Sequence, residues 1–453
     1  MVASTTKDRG VAAAINDAAA APVTAYSWYV LAVLTCIYSF NWIDRYVLVI
    51  LLEPIKQDLG VSDTALGFLS GFAFAIVYSL AGIPVARLAD RSTRRTVISI
   101  SVLVWSGMTM LCGAAQQFWQ LLLARLGVAV GESGCSPSAH SLISDYFPEH
   151  RRATAFSIYG LGVIAGLSFG LYIGGWANEA YGWRTALLIA AIPGPLFALL
   201  VRFTLREPPR GQQDRGGVDG RQYSMGEALH FFLSNRVFVL YAVGLALINF
   251  SGYAYDTWTP VYLMRVQHMD SSEVGMIAGT LLGISGLIGT LGGGVLVDYL
   301  GRHDDRWYLW LPAASGVVMI VFVAIFMHTG RGPLLTSSYF IASLCVSAQL
   351  APVIAITQKI MPVTMRALSS AMLFLLVNFM GNGAGAFVAG VLSDWLTPWF
   401  GQEAIRYAVT LSQAAAVFGI VLMLLAARQL PAELRRLKEE QSLKGDSYRE
   451  TEV

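Results

Sequence analysis

Four ionisable side chains lie in two stretches of this sequence that are otherwise apolar. Asp44 and Arg45 are adjacent within residues 30–52, and Arg125 and Glu132 lie in a second such stretch. An ionisable group at the centre of a bilayer costs about 2.5–3.5 kcal/mol on insertion scales, so such groups persist where they pair or face water. The pattern therefore indicates a polar pathway through a membrane, formed by two acids and two bases.

The spacing of these residues predicts how they meet. Arg125 and Glu132 are separated by about two helical turns, roughly 10.5 Å along the axis, and so share one helix face. Asp44 and Arg45 differ by about 100° around a helix and point in different directions. We expect one of them to face a cavity and the other to follow the interface between the two helices, which gives a neutral network of four charges.

Proton coupling is the chemistry that such a network could perform. Only the acids can change charge, because arginine keeps its proton. We predict Asp44 and Glu132 as proton sites and Arg45 or Arg125 as the group that binds an anion, since protonation of an acid frees its arginine. A purely structural network of salt bridges is the alternative.

Aromatic residues accompany this centre and a matching position later in the chain. Trp42 and Tyr46 flank Asp44, and Tyr253 precedes Asp256. Aromatic rings beside charged groups suit an amphiphile with an apolar tail and a polar head, so we predict substrate-binding roles for these rings. Packing against the core or lipid is the alternative for each ring. Asp256 is predicted as a further substrate or proton site, with a place at the rim of its helix as the alternative.

The composition indicates a membrane protein. The chain is 55% hydrophobic and 13% charged, whereas soluble domains average about 25% charged residues. Its net charge is +2, and no basic stripe carries interleaved aromatics, so we expect no nucleic-acid partner. The four cysteines show no C-x-x-C spacing, and no H-E-x-x-H motif or P-loop occurs. We therefore expect no metal, no cofactor, no enzymatic activity and no ATP-driven pumping.

Twelve segments have about the 20 apolar residues that a membrane-spanning helix needs. The stretch 205–236, rich in proline, glycine and charge, divides them into six plus six. If the N-terminus is cytoplasmic, about 24 of the Lys and Arg residues fall on the cytoplasmic side. The sequence thus predicts an all-α membrane protein with two six-helix bundles. The predicted spans are 27–52, 64–85, 96–115, 118–141, 153–177, 183–204, 237–264, 273–297, 307–328, 334–360, 366–393 and 403–428.

The predicted domain organisation follows from these spans. It comprises a disordered cytoplasmic tail at 1–26, bundles at 27–204 and 237–429, a cytoplasmic linker at 205–236 and a cytoplasmic tail at 430–453. We expect a monomer in the plasma (inner) membrane with both termini in the cytoplasm. Its expected partners are a small amphiphilic or anionic substrate, protons and membrane lipid.

The two halves of the chain carry matching features. The loop after the second segment reads ARLADRSTRR at 86–95, and the loop after the eighth reads GVLVDYLGR at 294–302. Both fit the frame G-x-x-x-D-x-x-G-R, the first imperfectly. The offset from Asp90 to Asp298 is 208 residues, and the offset from Asp44 to Asp256 is 212. Nearly equal offsets at two separated places indicate duplication of a six-helix unit.

The twelve-helix plan and this loop frame resemble the major facilitator superfamily of transporters. The resemblance implies that the loop charges form a latch against neighbouring helix ends. Ordinary cytoplasmic loop charges are the alternative. The implied latch residues are Asp90, Arg91, Arg94 and Arg95 in the N-terminal half, with Asp298 and Arg302 in the C-terminal half.

Narrower motifs are similar to those of the spinster-like lipid transporters. They read FNWIDR at 40–45, RLGVAVGES at 125–133 and ISDYFPEHRRA at 143–153. The match covers most of the N-terminal half, whereas the C-terminal half resembles the family mainly in architecture. It implies a lysophospholipid or sphingoid phosphate as the substrate. Together with the four charged residues, the sequence predicts a proton-coupled transporter of such a lipid that works by alternating access. Organic-anion and cation symporters also carry N-x-x-D-R in their first helix, so an organic-acid or sugar-acid symporter is the alternative.

Overall fold

The computed structural model describes residues 23–209, 232–361 and 365–450, and the regular structure in these ranges is helical. Within them, ten helical stretches are long and apolar enough to cross a membrane. One of these, Leu368–Leu437, contains two successive helices joined at Gly401–Glu403. A further helix at 118–146 is interrupted in its middle. Together they form twelve membrane helices in two bundles of six, as the sequence predicts.

The N-terminal bundle contains α1 to α6, and the C-terminal bundle contains α7 to α12. Most helix ends lie within a few residues of the predicted spans. The helices are α1 Ala25–Leu59; α2 Asp63–Gly67, Phe68–Phe72 and Ala73–Arg91; α3 Arg94–Ala114; α4 Phe118–Glu132 and Cys135–Tyr146; α5 Glu149–Tyr181; α6 Trp183–Ala191 and Pro193–Thr204; α7 Arg236–Arg265; α8 Ser271–Leu300; α9 Trp307–His328; α10 Pro333–Ser347 and Leu350–Ile360; α11 Arg366–Val377, Asn378–Gly385 and Ala386–Phe400; and α12 Ala404–Ser412 and Ala414–Glu450.

The predicted tails and linker fall partly outside the described residues. Residues 1–22, 210–231 and 451–453 are not described, and they include most of the predicted N-terminal tail and linker. At the other end, α12 continues as a helix to Glu450. The structure therefore shows no break at the predicted boundary between 429 and 430, because the charged residues that follow it extend the same helix.

Proline explains interruptions in α4 and α10 that the continuous predicted spans lack. A proline ring clashes with the carbonyl four residues earlier and offers no N–H. Pro137 places that clash at Ser133, where α4 breaks, and Pro352 places it at Ala348, where α10 breaks. The offset between the two prolines is 215 residues, close to the offsets found in the loops and in α1 and α7. The breaks therefore follow the internal repeat.

A row of glycines brings α5 into backbone contact with α1. An added Cβ at each of these glycines would lie 2.4–2.9 Å from the nearest atom of α1, closer than such atoms approach in proteins. Small residues at regular spacing permit this approach between membrane helices. This contact fixes the position of α1, the helix that carries Asp44 and Arg45, against α5. The row consists of Gly162, Gly166, Gly170 and Gly174.

Candidate functional site

Two ion pairs join α1 to α4 in the N-terminal bundle. Arg125 Nη1 donates to Asp44 Oδ2 at 2.8 Å, and Arg45 Nη2 lies 2.7 Å from Glu132 Oε2. The side chain of Glu132 is fully buried, and that of Arg45 is 12% exposed. The structure thus brings together the four charged residues singled out in the sequence, as two pairs that are each neutral overall.

Neither ion pair uses all of its hydrogen-bonding atoms. Thr109 of α3 donates its hydroxyl to Asp44 Oδ1 at 2.5 Å, so this carboxylate is held from two sides. Glu132 Oε1 and Arg125 Nε are buried and have no hydrogen-bond partner in the described part of the chain. The network therefore retains a free acceptor and a free donor. Thr109 gave no signal in the sequence, because a single threonine is common in an apolar helix.

Aromatic rings of α1 and α2 enclose the two guanidinium groups. The Arg45 guanidinium lies 4.9, 4.8 and 5.1 Å from the ring centroids of Trp42, Phe74 and Tyr78. The Arg125 guanidinium lies 4.6 Å from the centroid of Phe74. Cation–π contacts of this kind stabilise a partly desolvated cation. Phe74 and Tyr78 were not predicted, although their spacing of four residues places them on one face of α2.

A narrow cavity of about 20 Å³, room for about one water molecule, lies beside the arginines and between the two bundles. Five of the six predicted substrate-binding residues line it, and Asp256 does not. Asn382 belongs to a π-helical turn in α11, an irregularity that is frequent at functional sites. The lining residues are Trp42, Arg45, Tyr46 and Val49 of α1, Ser70 and Phe74 of α2, Arg125 of α4, Tyr253 and Thr257 of α7, and Asn382 of α11.

Asp256 occupies α7 between two residues that line the cavity, Tyr253 and Thr257. Its side chain is half-buried, and its Oδ1 is buried without a hydrogen-bond partner among the residues described. No ion pair is formed by Asp256 with a described side chain, whereas Asp44 and Glu132 of the N-terminal half are each paired with an arginine.

Arg265 ties the two bundles together at the end of the molecule where α1 terminates. Its guanidinium donates to Glu53 Oε2 at 2.6 and 2.9 Å and to the two oxygens of Asp63 at 2.7 and 2.8 Å. Lys56 lies 2.6 Å from Asp63 Oδ1. Because Arg265 belongs to α7 and both acids belong to the N-terminal half, these contacts cross between the bundles. They are mostly buried and charge-assisted, which makes them strong.

Two residues of α11 complete this cross-bundle contact. Asp394 accepts the backbone N–H groups of Asp63 and Thr64 at 3.0 and 2.7 Å, where α2 begins. Ser393 donates its hydroxyl to Asp63 Oδ2 at 2.6 Å. A carboxylate at a helix N-terminus satisfies free N–H groups and complements the helix dipole. We call Glu53, Lys56, Asp63, Arg265, Ser393 and Asp394 the closing cluster.

Arg94 forms a buried ion cluster at the opposite end of the N-terminal bundle. Its side chain is 2% exposed, pairs with Asp145 of α4, and lies 2.7 Å from Glu207 just after α6. Its Nη2 also donates to the Pro208 carbonyl at 3.0 Å. Arg95 donates to the Leu205 carbonyl at 3.1 Å. The contacts of Arg94 thus join the loop between α2 and α3 to two helix ends, and its acidic partners were not predicted.

The other predicted latch residues are exposed or have side chains outside the described part of the chain. Arg91 is exposed, and the side chain of Asp90 lies outside the described residues. Asp298 and Arg302 are exposed and form no ion pair with a described side chain. The latch role of these residues therefore stays a prediction.

A different ion pair joins the corresponding loop of the C-terminal half to α10. Asp305 lies 2.5 Å from Lys359, and their side chains are 31% and 46% exposed. Arg94 and Asp305 are 211 residues apart, and Asp145 and Lys359 are 214 apart. The Asp305–Lys359 pair therefore occupies the repeat-equivalent position with the charges reversed.

Two helical bundles around a polar cavity define a membrane transporter, and comparison with known proteins gives the family. Residues 34–382 match the Major Facilitator Superfamily, and the chain belongs to that superfamily. It is 35% identical to an "MFS-type efflux pump" of Mycolicibacterium smegmatis, over 86% of this chain and 90% of that protein. It is 24% identical to "Sphingosine-1-phosphate transporter SPNS2" of Danio rerio, over 85% of this chain and 79% of that protein.

A solved structure supports the narrower resemblance. The chain superposes with a TM-score of 0.84 on a bacterial homologue of the human lysosomal transporter Spinster, in an inward-facing and unoccupied conformation. The two are 29% identical, and the match covers 91% of this chain and 99% of the other. The protein is thus a spinster-like member of a superfamily of transporters, not of enzymes. The expectations of an integral membrane protein with a major facilitator fold are confirmed.

Proposed function

We propose that this protein is a proton-coupled secondary active transporter of an amphiphilic anion, such as a lysophospholipid or a sphingoid phosphate. One observation carries the proposal. Arg45 and Arg125 both line a cavity between the bundles, and each is bound to an acid that could take up a proton in its place. The spinster relatives, one of which is named as a sphingosine-1-phosphate transporter, support a lipid substrate.

Charge balance links the proton to the substrate. When Glu132 is ionised, it neutralises Arg45, and an anion entering the cavity must displace it. When Glu132 is protonated, Arg45 is free to bind the anion, and the site is again neutral. The same exchange applies to Asp44 and Arg125. Arg45 is the more exposed arginine, so we place the first contact of the anion at Arg45 and the first protonation at Glu132.

An apolar opening next to the cavity suits the tail of an amphiphile. It lies between α2, α7 and α11, away from the closing cluster, and has a volume of about 530 Å³. Its walls are almost entirely hydrocarbon. A head group at the arginines and a chain in this opening would each meet surroundings of matching polarity. The lining includes Ile76 and Leu80 of α2, Val239 and Val243 of α7, and Leu376 and Phe379 of α11.

Alternating access requires the closing cluster to break and reform. With cytoplasmic termini, this cluster lies at the extracellular end, and the apolar opening lies on the cytoplasmic side. The described conformation then corresponds to an inward-facing state. We propose that Arg94 and Arg95, with Asp90 and Arg91, latch the N-terminal half at the cytoplasmic end. Asp298 and Arg302 would act in the C-terminal half only in another conformation.

Uptake into proteoliposomes tests the proposed function. Labelled lysophospholipid and a labelled sugar acid are compared with and without a pH gradient. We expect gradient-driven uptake of the lipid, and loss of the gradient dependence in Asp44→Asn and Glu132→Gln. Glu273→Gln is a matched control, because Glu273 is an exposed acid at the start of α8. If only the sugar acid is taken up in response to the pH gradient, the substrate is an organic or sugar acid and not the lipid.

Membrane orientation and oligomeric state need a separate measurement. We infer a monomer in the plasma (inner) membrane with both termini in the cytoplasm, from the distribution of Lys and Arg. Reporter fusions at both termini should be active only in the cytoplasm, and light scattering in detergent should give the mass of one chain. A periplasmic or extracellular terminus would reverse the assignment of the closing cluster to the outer end.

A further inference from the structure

The two ion pairs of the N-terminal bundle differ in the number of donors that hold each acid. Asp44 uses both oxygens, since Oδ2 accepts from Arg125 Nη1 at 2.8 Å and Oδ1 accepts from the Thr109 hydroxyl at 2.5 Å. Glu132 uses only Oε2, which lies 2.7 Å from both Nε and Nη2 of Arg45. Its Oε1 is buried and has no hydrogen-bond partner within the described residues. A proton can therefore bind to Glu132 without displacing a donor, but it cannot bind to Asp44 in that way.

Thr109 reaches Asp44 from α3, a third helix besides the two that form the ion pairs. Its side chain is buried, and it lies one turn beyond Trp105. At that turn the backbones of α3 and α4 touch, since an added Cβ at Gly131 would lie only 2.6 Å from the Trp105 nitrogen. This contact fixes the height of Thr109 relative to α4. All of these residues belong to the N-terminal bundle, so movement of one bundle against the other leaves their contacts intact.

Hydrogen bonding distinguishes the two acids, whereas burial does not. The side chains of Asp44 and Glu132 are 4% and 0% exposed, so both acids lose nearly all of their hydration. A hydroxyl that donates to a carboxylate favours the charged form, and a bond to an ionised acceptor is roughly twice as strong as one between neutral groups. Protonation of Asp44 therefore weakens its bonds to both Arg125 and Thr109. Protonation of Glu132 weakens only its bonds to Arg45.

The helices around the two ion pairs bring few other titratable groups near them. In α2, α5 and α6, every charged residue lies within two turns of a helix end, and Asp256 is the only charged residue of α7 between its two terminal arginines. Tyrosine and cysteine ordinarily ionise at about pH 10 and about pH 8.5, so they carry no charge in acidic or neutral solution. Asp44 and Glu132 are therefore the groups through which the two pairs can change charge. The tyrosines and cysteines that face the pairs are Tyr38 and Tyr46 of α1, Tyr78 of α2, Cys112 of α3, Cys135 of α4 and Tyr253 of α7.

We propose that Thr109 is a positioning residue that holds Asp44 ionised, so that protons enter at Glu132 first and reach Asp44 only at lower pH. The role of both acids in transport rests on the proposed function, whereas the order in which they take up protons does not. Protonation of Glu132 releases Arg45, while Arg125 stays bound to Asp44. Near neutral pH, Arg45 is thus the arginine available to an anion, and Arg125 keeps α4 joined to α1.

Infrared titration of the full-length protein in detergent measures this order without a substrate. Protonated carboxyl groups absorb apart from carboxylates, and the bands of the two acids are assigned by their loss in Asp44→Asn and Glu132→Gln. As the pH falls, we expect the Glu132 band to appear before the Asp44 band. Thr109→Val removes the hydroxyl, so it should raise the pH at which Asp44 takes up its proton by about one unit and leave Glu132 unchanged. Thr109→Ser keeps the hydroxyl and should match the wild type.

A matched control and a second variant keep the result interpretable. Thr35→Val removes a hydroxyl of α1 that donates to the Leu31 carbonyl, and it should leave both bands unchanged. Thr109→Ala also lacks the hydroxyl and replaces the valine variant if that variant does not fold.

Three outcomes separate this inference from the proposed function. An Asp44 band that appears at or above the pH of the Glu132 band in the wild type would overturn the order. An unchanged Asp44 band in folded Thr109→Val or Thr109→Ala would overturn the role of Thr109. If the bands follow the expected order but uptake into proteoliposomes ignores the pH gradient, the proposed function fails and the inference stands.

Discussion

The two halves of this transporter share one helical plan but differ in how their charges are partnered. In the N-terminal half, Asp44 is held by Arg125 and Thr109. In the C-terminal half, the corresponding Asp256 has a buried oxygen without a hydrogen-bond partner in the described chain. Duplication thus preserved the acid and changed its surroundings. The paired acids of the first half are those that we propose to couple protons to transport.

The cytoplasmic loops show the same kind of difference. Arg94 is buried with two acidic partners, whereas the equivalent Asp305–Lys359 pair is substantially exposed. An exposed pair is screened by water and contributes little, and a buried pair becomes costly once one partner is removed. The N-terminal loop is therefore the more firmly anchored of the two.

The largest expected effect comes from breaking the central pair in the N-terminal half. Arg125→Met leaves Asp44 buried without its cation, which should reduce the free energy of unfolding by about 3–5 kcal/mol. The double variant Asp44→Asn, Arg125→Met removes both charges and should recover much of that loss. Thermal unfolding in detergent measures both variants. Equal destabilisation of the single and double variants would show that the pair is not coupled.

The two loop pairs should respond unequally to the same substitution. Arg94→Met removes the buried guanidinium that joins Asp145 to Glu207, and we expect a loss of about 3 kcal/mol in the free energy of unfolding. Lys359→Met should change it by no more than about 1 kcal/mol. Denaturation of both variants under one condition makes the comparison direct. Similar losses would contradict the conclusion that only the N-terminal loop is firmly anchored.

The closing cluster should control access to the cavity with a smaller energetic effect. Arg265→Gln removes the guanidinium that bridges Glu53 and Asp63, so the conformation open at this end should become more populated. Val49 lines the cavity and offers a reporter position as Val49→Cys in a background without the four native cysteines. We expect labelling by an impermeant thiol reagent to rise about tenfold, which corresponds to roughly 1.4 kcal/mol.

Two results keep this experiment interpretable. The control Arg331→Gln removes an exposed cation at the same end and should leave the labelling rate unchanged. An unchanged rate in Arg265→Gln would show that the closing cluster does not hold this end shut.

The sequence revealed charges more readily than their neutral partners. Asp44, Arg45, Arg125 and Glu132 could be identified because ionisable residues are rare in apolar spans and must be compensated. Thr109 carries no comparable signal, since a neutral residue is unremarkable in such a helix. The twelve helices could be predicted because the length and hydropathy of a segment define a membrane span without knowledge of its packing.

Features that depend on how the bundles meet were not predictable. The closing cluster joins Arg265 to Glu53 and Asp63 over about 200 residues of sequence, and no local pattern encodes that pairing. The loop frame drew attention to Asp298 and Arg302, whereas the ionic contact described in this region involves Asp305 and Lys359.

The break in α4 could have been predicted from Pro137, since proline cannot continue a helix without disturbing the preceding turn.

Substrate-driven proton movement shows whether Asp44 and Glu132 couple protons to transport. Vesicles containing the purified protein and an internal pH indicator receive substrate on one side, without an imposed pH gradient. We expect a substrate-dependent pH change in the wild type and in Glu273→Gln, and its loss in Asp44→Asn and Glu132→Gln while substrate still equilibrates. Proton movement of wild-type size in both acid variants would contradict it.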